Sequence, residues 1–307
     1  MNFQQLRIVR EAVRRNFNLT EVAAALYTAQ SGVSKHIKDL EDELGVELFV
    51  RRGKRLLGLT EPGKQLAVIV ERMLLDARNL KSLAEQFAGA EHGRLTIATT
   101  HTQARYALPA VIARFKAAYP RVHLVLLQGS PSEIVTLLQA GEADIGIATE
   151  ALDGVEAFAT FPFYQWHHAV VVPSDHPLAC QERLALEDLV EHPLITYHEG
   201  FTGRGRIDET FASAGLVPDI VMSALDADVI KTYVQLGLGV GIIASMAFEP
   251  RDQGLRLLAA DHLFRANTTR IALRRGQFLR GFAYRFVEEC VPALSERALR
   301  EAVTPAP

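Results

Sequence analysis

The sequence predicts an all-α winged helix-turn-helix domain, then one long helix, then a two-lobed α/β domain. Three patterns carry this prediction: short amphipathic segments followed by a basic hairpin, a heptad stripe, and a long alternation of strands and helices. The length of 307 residues allows two or three domains. The predicted bounds are 1–60 for the winged domain, 61–90 for the linker helix and 91–307 for the α/β domain, with lobe I at about 91–160 and 268–307 and lobe II at about 161–267.

Composition is that of a globular protein, with 49% hydrophobic and 22% charged residues. No apolar run is long enough to span a bilayer, and the first residues lack the apolar core of a signal peptide. We therefore expect a cytoplasmic protein without membrane contact. Cys180 and Cys290 lie far apart and offer no metal or disulfide spacing, so we expect reduced packing residues and no metal.

Charge is distributed unevenly along the chain. Residues 1–60 carry 10 Lys and Arg against 7 Asp and Glu, whereas the whole chain has a net charge of −3. A basic head on an acidic body suggests that only the head meets a polyanion. The excess of positive charge is modest for a domain of this size, so whether the head binds DNA has to be judged from its motif.

The head contains three predicted helices. Apolar residues at helical spacing define the first, namely Leu6, Val9, Val13 and Phe17. Thr20 is predicted to cap the second, and Tyr27-Thr28 forms a short turn before the third, 30–44. Two helices joined by a tight turn, with polar residues near the start of the second, are typical of a DNA-reading helix-turn-helix.

A basic hairpin follows the third helix, between strands predicted at 46–50 and 56–59. Lysine and glutamine hydrogen-bond base edges, and serine, lysine and arginine bind phosphates. The alternative is a structural three-helix module with a solvated loop, but the helix period, turn, wing and charge all agree with DNA binding. The predicted DNA contacts are Thr28, Gln30, Ser31, Ser34, Lys35, Lys38, Arg51, Arg52 and Lys54.

The segment after Thr60 predicts a coiled-coil helix, with Thr60 as its cap. Apolar residues alternate at spacings of four and three over about three heptads, which indicates a dimer seam. Dimerisation suits a head that must read two half-sites, although packing of the stripe on its own domain is the alternative. The predicted seam residues are Leu66, Val70, Met73, Ala77, Leu80, Ala84 and Phe87.

From Arg94 onward, strand and helix signals alternate in two units. The first reads as a βαβαβ unit with a parallel sheet, and a late strand at 269–274 is predicted to return the chain to this first lobe. A closing helix is predicted near 278–300. Two such lobes place a ligand cleft between them, at the carboxyl ends of the strands.

Three strand ends converge on this predicted cleft and supply hydroxyls, one amide and free backbone N–H groups. Such a set can bind a small anion although it contains no cationic side chain, because oriented N–H and O–H dipoles suffice. The alternative for the first turn is an ordinary helix cap, and Trp166 is either a wall of the cleft or a packing residue. The candidate anion-binding residues are Thr100, Thr102, Gln103, Thr149, Trp166 and Thr202.

Catalytic motifs are missing from the sequence. It has no Gly-x-Ser-x-Gly elbow and no phosphate loop, and the Gly-x-Gly-x-Gly at 237–241 follows a helix instead of preceding one. His101, His167 and His168 have no evident nucleophile or carboxylate partner, so structural roles are expected. We therefore expect a binding protein without catalysis and without a cofactor.

The order of these parts resembles the LysR-type transcriptional regulators over essentially the whole chain. Within that family, several segments are similar to the CysB/Cbl branch of sulfur-assimilation regulators. The segments that carry this resemblance are 97–109, 128–131, 148–152, 200–204 and 226–234. The presence of Tyr197-His198-Glu199-Gly200 beside Thr202 departs from the pattern and leaves the preferred ligand open.

The resemblance implies a two-lobed, periplasmic-binding-protein-like effector domain and a homotetramer on promoter DNA of sulfate-uptake, cysteine-synthesis or alkanesulfonate genes, in contact with RNA polymerase. It implies activation by N-acetylserine or O-acetylserine, opposed by sulfate, thiosulfate or sulfide, with the anion on the threonine and glutamine cluster. A Cbl-like reading instead implies a sensor of adenosine phosphosulfate. The alternative from another class is a small-anion-binding protein or enzyme with no role on DNA.

Overall fold

The computed structural model describes residues 1–53, 55–89 and 92–304. Its contacts divide the chain into two units, Met1–Glu85 and Gln86–Pro307, each with hydrophobic clusters of its own. The division falls inside the predicted linker helix.

The N-terminal unit is a three-helix head with a two-stranded wing and a long helix. Strands β1 and β2 pair antiparallel, as a wing requires. The elements are α1 (Phe3–Arg14), α2 (Leu19–Ala25), α3 (Gln30–Leu44), β1 (Phe49–Arg52), β2 (Arg55–Leu59) and α4 (Glu61–Ala88).

The start of α2 differs from the prediction that Thr20 caps it. The side chain of Asn18 caps this helix and accepts a hydrogen bond from the backbone N–H of Thr20 at 3.1 Å. Asparagine is a strong cap, so Thr20 falls inside the first turn. Phe17 lies beyond the end of α1, with a φ of 64°, and packs edge-on against Phe49 at 6.3 Å.

The wing also differs in detail from the prediction. The two arginines expected on the hairpin tip, Arg51 and Arg52, lie on strand β1, and Gly53 makes the turn with a φ of 62°. Lys54, predicted to contact DNA, lies outside the described residues.

A buried carboxylate ties the wing to α3. Glu41 accepts hydrogen bonds from the backbone N–H groups of Leu48 at 2.8 Å and Phe49 at 3.2 Å. Its second oxygen accepts from Arg51 at 2.6 Å. Because two of the donors lie at the start of β1 and the third lies near its end, this one side chain fixes the wing relative to the third helix.

Helix α4 starts at its predicted cap, since the hydroxyl of Thr60 accepts from the N–H of Gly63 at 3.1 Å. In the first half of its apolar stripe, side chains pack against the head's own core, which was the alternative to a dimer seam. Val70 is 2% exposed in the head's own core, and Leu66 and Met73 pack against the same cluster. The head supplies an apolar surface that this half covers, as the alternative prediction stated.

The C-terminal unit contains two five-stranded sheets. Its strands are β3 (Gly93–Thr99), β4 (Val122–Gln128), β5 (Ile145–Ala148), β6 (Phe158–Trp166), β7 (His168–Pro173), β8 (Leu194–Tyr197), β9 (Ile220–Ala224), β10 (Val240–Ala244), β11 (Leu255–Ala259) and β12 (Asn267–Arg274). Its helices are α5 (Leu108–Ala118), α6 (Pro131–Ala140), α7 (Leu186–Val190), α8 (Arg204–Ser213), α9 (Ala227–Gln235), α10 (Gly281–Cys290) and α11 (Glu296–Val303), with a π-helical turn at Gln103–Ala107 and 3₁₀ turns at Pro177–Cys180 and Ser245–Ala247.

Lobe I is built on the sheet β4-β3-β5-β12-β6. Its first three strands are mutually parallel, whereas β12 runs antiparallel to β5 and β6. Helices α5 and α10 cover one face with a core that includes Phe115 and Phe286, and α6 covers the other with Ile134 and Leu138. Each such buried side chain contributes about 1.5–3 kcal/mol, so both faces are firmly held.

Lobe II is built on the sheet β11-β7-β10-β8-β9. Strand β8 is parallel to β9 and β10, and β7 is antiparallel to β10 and β11. The chain enters this lobe between Trp166 and His168, and it returns to lobe I at Asn267. The predicted first crossing at about 160 is therefore some residues early, and the late strand returns to lobe I as expected.

Three elements were not foreseen. Strand β6 contains Pro162 and is an edge strand, where proline costs no ladder hydrogen bond. The closing helix is two helices, since Pro292 follows the end of α10. The first helix of the predicted βαβαβ unit is preceded by a π-helical turn. In this turn, Gln103–Ala107, the backbone is wound more widely than in the α-helix α5 that follows it.

Candidate functional site

The end of β3 is buried together with the turn that follows it. Thr99 donates its hydroxyl to the carbonyl of Ile147 at 3.0 Å, which anchors the turn to β5. The next polar residues, Thr100, Thr102 and Gln103, are nearly inaccessible, Thr102 being 1% exposed. Buried polar groups need partners, so this turn is built to be satisfied by groups from elsewhere in the domain.

A second turn, after β8, comes from lobe II. Thr202 has a φ of 43°, a left-handed conformation that a β-branched residue rarely adopts. Gly203 follows with a φ of 72°, and a Cβ there would lie 2.5 Å from the side-chain oxygen of Asn267. Strained backbone of this kind is concentrated at ligand sites, and here it places Thr202 and the backbone N–H of Gly203 at the lobe junction.

The structure brings these two turns together. The hydroxyl oxygens of Thr102 and Thr202 lie 3.5 Å apart, one from each lobe. The phenol of Tyr197, at the end of β8, lies near Thr102 and accepts a hydrogen bond from the backbone N–H of Ala244 at 3.0 Å. Three hydroxyls from two lobes therefore share one small region.

Gln103 faces β6. The phenol of Tyr164 donates a hydrogen bond to the side-chain oxygen of Gln103 and lies 3.3 Å from the sulfur of Met246. Burial raises the pKa of Tyr164 to about 12, so the phenol stays protonated. The partner of Gln103 is thus a residue from the strand that the sequence did not predict.

Thr149 and Trp166 meet through a third residue. The hydroxyls of Thr149 and Thr269 lie 3.3 Å apart, and the indole N–H of Trp166 donates to Thr269 at 3.1 Å. Trp166 is buried, which is compatible with both alternatives, a wall of the cleft and a packing residue. Thr269 sits on β12, which returns from lobe II.

His168 connects these groups across the junction. It is buried, its Nε2 lies 3.0 Å from the carbonyl of Thr202, and its ring packs edge-on to Trp166 at 5.0 Å. Burial lowers the pKa of His168 to about 4, so the ring is neutral near pH 7. This agrees with the structural role expected for it.

Glu150 is the one carboxylate within this group. It follows Thr149 in lobe I and accepts a hydrogen bond from the backbone N–H of Gly203 in lobe II. Burial raises its pKa to about 7. The backbone N–H of Gly203, beside the proposed anion cluster, is therefore already hydrogen-bonded to an acidic side chain.

A second contact between the lobes lies beside the π-helical turn. The phenol of Tyr106 donates to Asp228 at 2.8 Å, and the guanidinium of Arg105 pairs with Glu249 at 3.2 Å. Burial alone would raise the pKa of Asp228, but the hydrogen bond from Tyr106 and the charge of Lys231 hold it below its usual value. Residues 103 to 106 thus link the anion cluster to an ion-pair network.

One group of side chains lies close enough to hold a metal ion. Ligand atoms of His101, Asp226 and Asp228 all fall within 4.8 Å of one another. However, Asp226 caps α9 through Val229 at 2.9 Å, and Asp228 already pairs with Lys231 at 3.3 Å. These carboxylates are used within the fold, so the group is better described as part of the junction.

In the head, the predicted DNA-binding residues that the structure describes are all at least partly accessible. Those of the turn and of α3 are exposed or half-buried, namely Thr28, Gln30, Ser31, Ser34, Lys35 and Lys38. Arg52 is exposed on β1, while Arg51 is held by Glu41. Tyr27, which the prediction treated only as part of a turn, is 98% exposed with a φ of 50°.

The later half of the predicted seam is accessible. Leu80 is 69% and Phe87 84% exposed, and Ala84 is exposed as well, whereas Ala77 is half-buried. Exposed large apolar residues at heptad spacing on one helix are typical of a coiled-coil surface. This half remains a predicted dimer contact.

The sequence analysis did not identify four residues around the anion cluster: Tyr164, Thr269, Asn267 and Glu150. Three of them lie on β6 and β12, near the two crossings between the lobes. Glu150 was visible beside Thr149 in the sequence, but nothing in its spacing pointed to Gly203. Among the described helices, none has the length and apolarity needed to cross a membrane.

Comparison with known families matches both parts of the chain. Residues 3–64 match the family described as bacterial regulatory helix-turn-helix protein, lysR family. Residues 88–295 match the LysR substrate binding domain. Together these matches cover most of the chain.

Individual relatives are similar over their full lengths. The HTH-type transcriptional regulator SsuR of Burkholderia cenocepacia is 61% identical, over 99% of this chain and 100% of that protein. The regulator cbl of Escherichia coli K12 is 56% identical, over 99% and 96%, and CysB of Burkholderia cenocepacia is 54% identical, over 99% and 97%. The crystal structure of the cofactor-binding domain of the Cbl transcriptional regulator superposes with a TM-score of 0.68 at 51% identity, over 70% of this chain and 95% of that one.

Proposed function

Because the chain belongs to the LysR family of bacterial transcription regulators, we propose that it controls sulfur-assimilation genes in response to a small anionic effector. The family consists of DNA-binding regulators and not of enzymes, which agrees with the absence of catalytic motifs in the sequence. The effector would be sulfate, thiosulfate, N-acetylserine or O-acetylserine, bound without a covalent bond.

The junction between the lobes is the observation that carries this proposal. Thr102 from lobe I and Thr202 from lobe II point their hydroxyls at each other at 3.5 Å. An oxyanion accepting hydrogen bonds from both would be held by both lobes at once. Hydrogen bonds to a charged acceptor are about twice as strong as neutral ones, so a few suffice for specific binding.

The full proposed anion set is larger. Thr149 reaches the same region through Thr269 and Trp166, and Gln103 is positioned by Tyr164. The proposed effector-contacting residues are Thr100, Thr102, Gln103, Thr149, Trp166 and Thr202.

The proposed response is a shift between lobe arrangements. An effector that binds the closed arrangement more tightly than the open one shifts the population by that difference in affinity, and by no more. The change would be passed to a dimer or tetramer on promoter DNA, and so to RNA polymerase. The exposed Leu80, Ala84 and Phe87 supply a surface for self-association.

A second candidate is a Cbl-like regulator of alkanesulfonate and sulfate-starvation genes that senses adenosine phosphosulfate. The similarity to SsuR and Cbl is somewhat higher than that to CysB, which favours keeping this reading. The two candidates use the same site and differ in the ligand that it prefers.

DNA binding is tested by fluorescence anisotropy with promoter fragments of cysteine-synthesis and sulfonate genes over a salt series. Lys35→Ala and Lys38→Ala should each weaken binding and reduce the salt slope by about one, because each lysine neutralises one phosphate. Lys81→Ala, an exposed lysine on α4, is the matched control. Binding that is absent, or indifferent to salt, would instead support a small-anion-binding protein with no role on DNA.

A further inference from the structure

We infer that Glu150 and Asn267 form a second subsite, which receives a hydrogen-bond donor of the effector, a protonated amine above all, beside its oxyanion. The inference rests on the proposed anion site and narrows the effector to molecules that carry both groups. It follows from two buried side-chain oxygen atoms, on residues that line one cleft, for which the described part of the chain supplies no hydrogen-bond donor.

The first of these atoms is the side-chain oxygen of Asn267. The carbonyl of Thr202 can only accept, so the Nε2 of neutral His168 must donate to it, at 3.0 Å. The Nδ1 of that ring is then an acceptor, and the amide nitrogen of Asn267 donates to it at 3.4 Å. This fixes the orientation of the amide and leaves its oxygen directed at Gly203, which also lines the cleft described below.

The second atom belongs to Glu150. One carboxylate oxygen accepts from the backbone N–H of Gly203. The other is buried, and, like the oxygen of Asn267, it has no hydrogen-bond partner in residues 1–53, 55–89 and 92–304. Asn267 itself is 0% exposed. Buried acceptors without donors are costly, and such a pair marks a place where a ligand completes the structure.

Glu150 and Asn267 both belong to the lining of a cleft of 310 Å³ between the lobes, together with Thr149, Gly203 and Arg206. A water molecule takes about 30 Å³ of liquid, so the cleft has room for a small organic molecule. Arg270 is paired with Asp153 at 2.6 Å, and the positive charge of Arg206 opposes the effect of burial on the pKa of Glu150. Asp153 and Glu209 are exposed, so Glu150 is the buried acidic group among the described lining residues.

The two subsites are adjacent in the chain. Thr149 precedes Glu150 and Thr202 precedes Gly203, and neighbouring Cα atoms are about 3.8 Å apart. An effector with an oxyanion and an amine separated by a short carbon spacer fits this arrangement. Simple dianions fit less well, because an ionised Glu150 repels them. Burial raises the pKa of this carboxyl to about 7, and a protonated amine bound beside it would stabilise its ionised form.

The test uses calorimetry on the full chain with three probes: sulfate, 2-aminoethanesulfonate and 1-propanesulfonate. The last two have the same size and differ by an ammonium against a methyl group. The wild type should bind the aminosulfonate at least ~10-fold more tightly than the propanesulfonate, since a charge-assisted hydrogen bond supplies that factor. This comparison needs no variant and does not depend on the folding of any mutant.

Two variants assign the effect to Glu150. Glu150→Gln keeps the acceptor for Gly203 and should reduce the preference for the aminosulfonate to within ~3-fold while sulfate still binds, since the charge-assisted bond is lost. Glu209→Gln removes the same charge from an exposed residue that lines the same cleft and should leave the preference intact.

Each result has a distinct meaning. Sulfate binding with equal affinity for the two sulfonates overturns the inference and leaves the anion site standing. An equal loss of preference in Glu150→Gln and Glu209→Gln also overturns it, since the effect would then be one of general charge. A wild type that binds no sulfate overturns the proposed anion site and this subsite with it.

Discussion

The hydroxyl of Thr102 in lobe I lies 3.5 Å from the hydroxyl of Thr202 in lobe II. Both side chains are buried, and the two residues are 100 positions apart in the sequence. Since each lobe supplies one of the two groups, a ligand that binds both can do so only when the lobes are together. Ligand binding and lobe closure are therefore one equilibrium at this contact.

Removing the Thr102 hydroxyl should weaken oxyanion binding. We expect Thr102→Val to reduce sulfate affinity about 10-fold or more, because a hydrogen bond to a charged group is worth about 1.5–3 kcal/mol. Valine has the same shape, so the fold should persist. Calorimetry on the purified chain measures this affinity.

Thr136→Val is the matched control, because Thr136 is exposed on α6 and its hydroxyl bonds only to the carbonyl of Ser132. Its sulfate affinity should equal that of the wild type. An unchanged affinity in Thr102→Val would place the anion elsewhere.

His168 should make the C-terminal unit sensitive to acid. Burial lowers its pKa from 6.5 to about 4, so below pH 6.5 the unfolded chain binds a proton that the folded chain does not. Its contribution is fully present above about pH 6.5 and is lost as the pH falls toward 4. We expect His168→Asn to remove about 2 kcal/mol of the stability difference between pH 7 and pH 5.

The measurement is urea unfolding followed by the fluorescence of Trp166, the single tryptophan, whose ring lies 5.0 Å from that of His168.

Glu150 changes the stability with pH in the direction opposite to His168. Its raised pKa stabilises the fold most at low pH, and that contribution is lost as the pH rises through about 7. Each variant must therefore be compared with the wild type at the same pH. His198→Asn, at an exposed position, should follow the wild type, and an equal effect of both variants would contradict the assignment to His168.

Glu41 should be essential to the head. Glu41→Ala leaves the buried N–H groups of Leu48 and Phe49 and the guanidinium of Arg51 without their acceptor. We expect a loss of about 2–4 kcal/mol in the unfolding free energy of the head, together with weaker DNA binding. Thermal unfolding monitored by circular dichroism would show it. Asp42→Ala, next to it and exposed, should change stability by less than about 0.5 kcal/mol.

Leu80 should contribute to self-association. Leu80→Asp places a charge in the exposed half of the heptad stripe and should shift the mass toward a smaller species in light scattering. Lys81→Asp changes the neighbouring position off the stripe and should leave the mass as it is. If Leu80→Asp has the wild-type mass, the chain associates through another surface.

Much of the architecture could be predicted because it depends on local signals. Strands such as β4 and β8 are runs of apolar residues between turns, and such runs are a local signal that the sequence shows directly. The head was predictable for the same reason, since its core positions Val33, Ile37 and Leu40 recur at helical spacing. The threonines at strand ends also follow from topology, because strand ends of one sheet share an edge.

The rest depends on contacts that are distant in the sequence. Tyr164 and Thr269 join the site through the pairing of β6 with β12, and neither residue has a local signature. Glu150 meets Gly203 only because the lobes face each other. The linker helix shows the same limit, since the heptad pattern of Val70 is identical for a partner chain and for the head's own core.

The most direct test of an effector-controlled regulator is whether effector binding at the lobe junction changes the affinity for DNA. It is measured as the dissociation constant of a sulfur-gene promoter fragment, with and without saturating sulfate, for the wild type and for Thr102→Val. We expect sulfate to change the dissociation constant of the wild type for the promoter fragment about 5-fold or more. This change should be lost in Thr102→Val at the same sulfate concentration. A sulfate effect of equal size in both proteins, or none in the wild type, would contradict it.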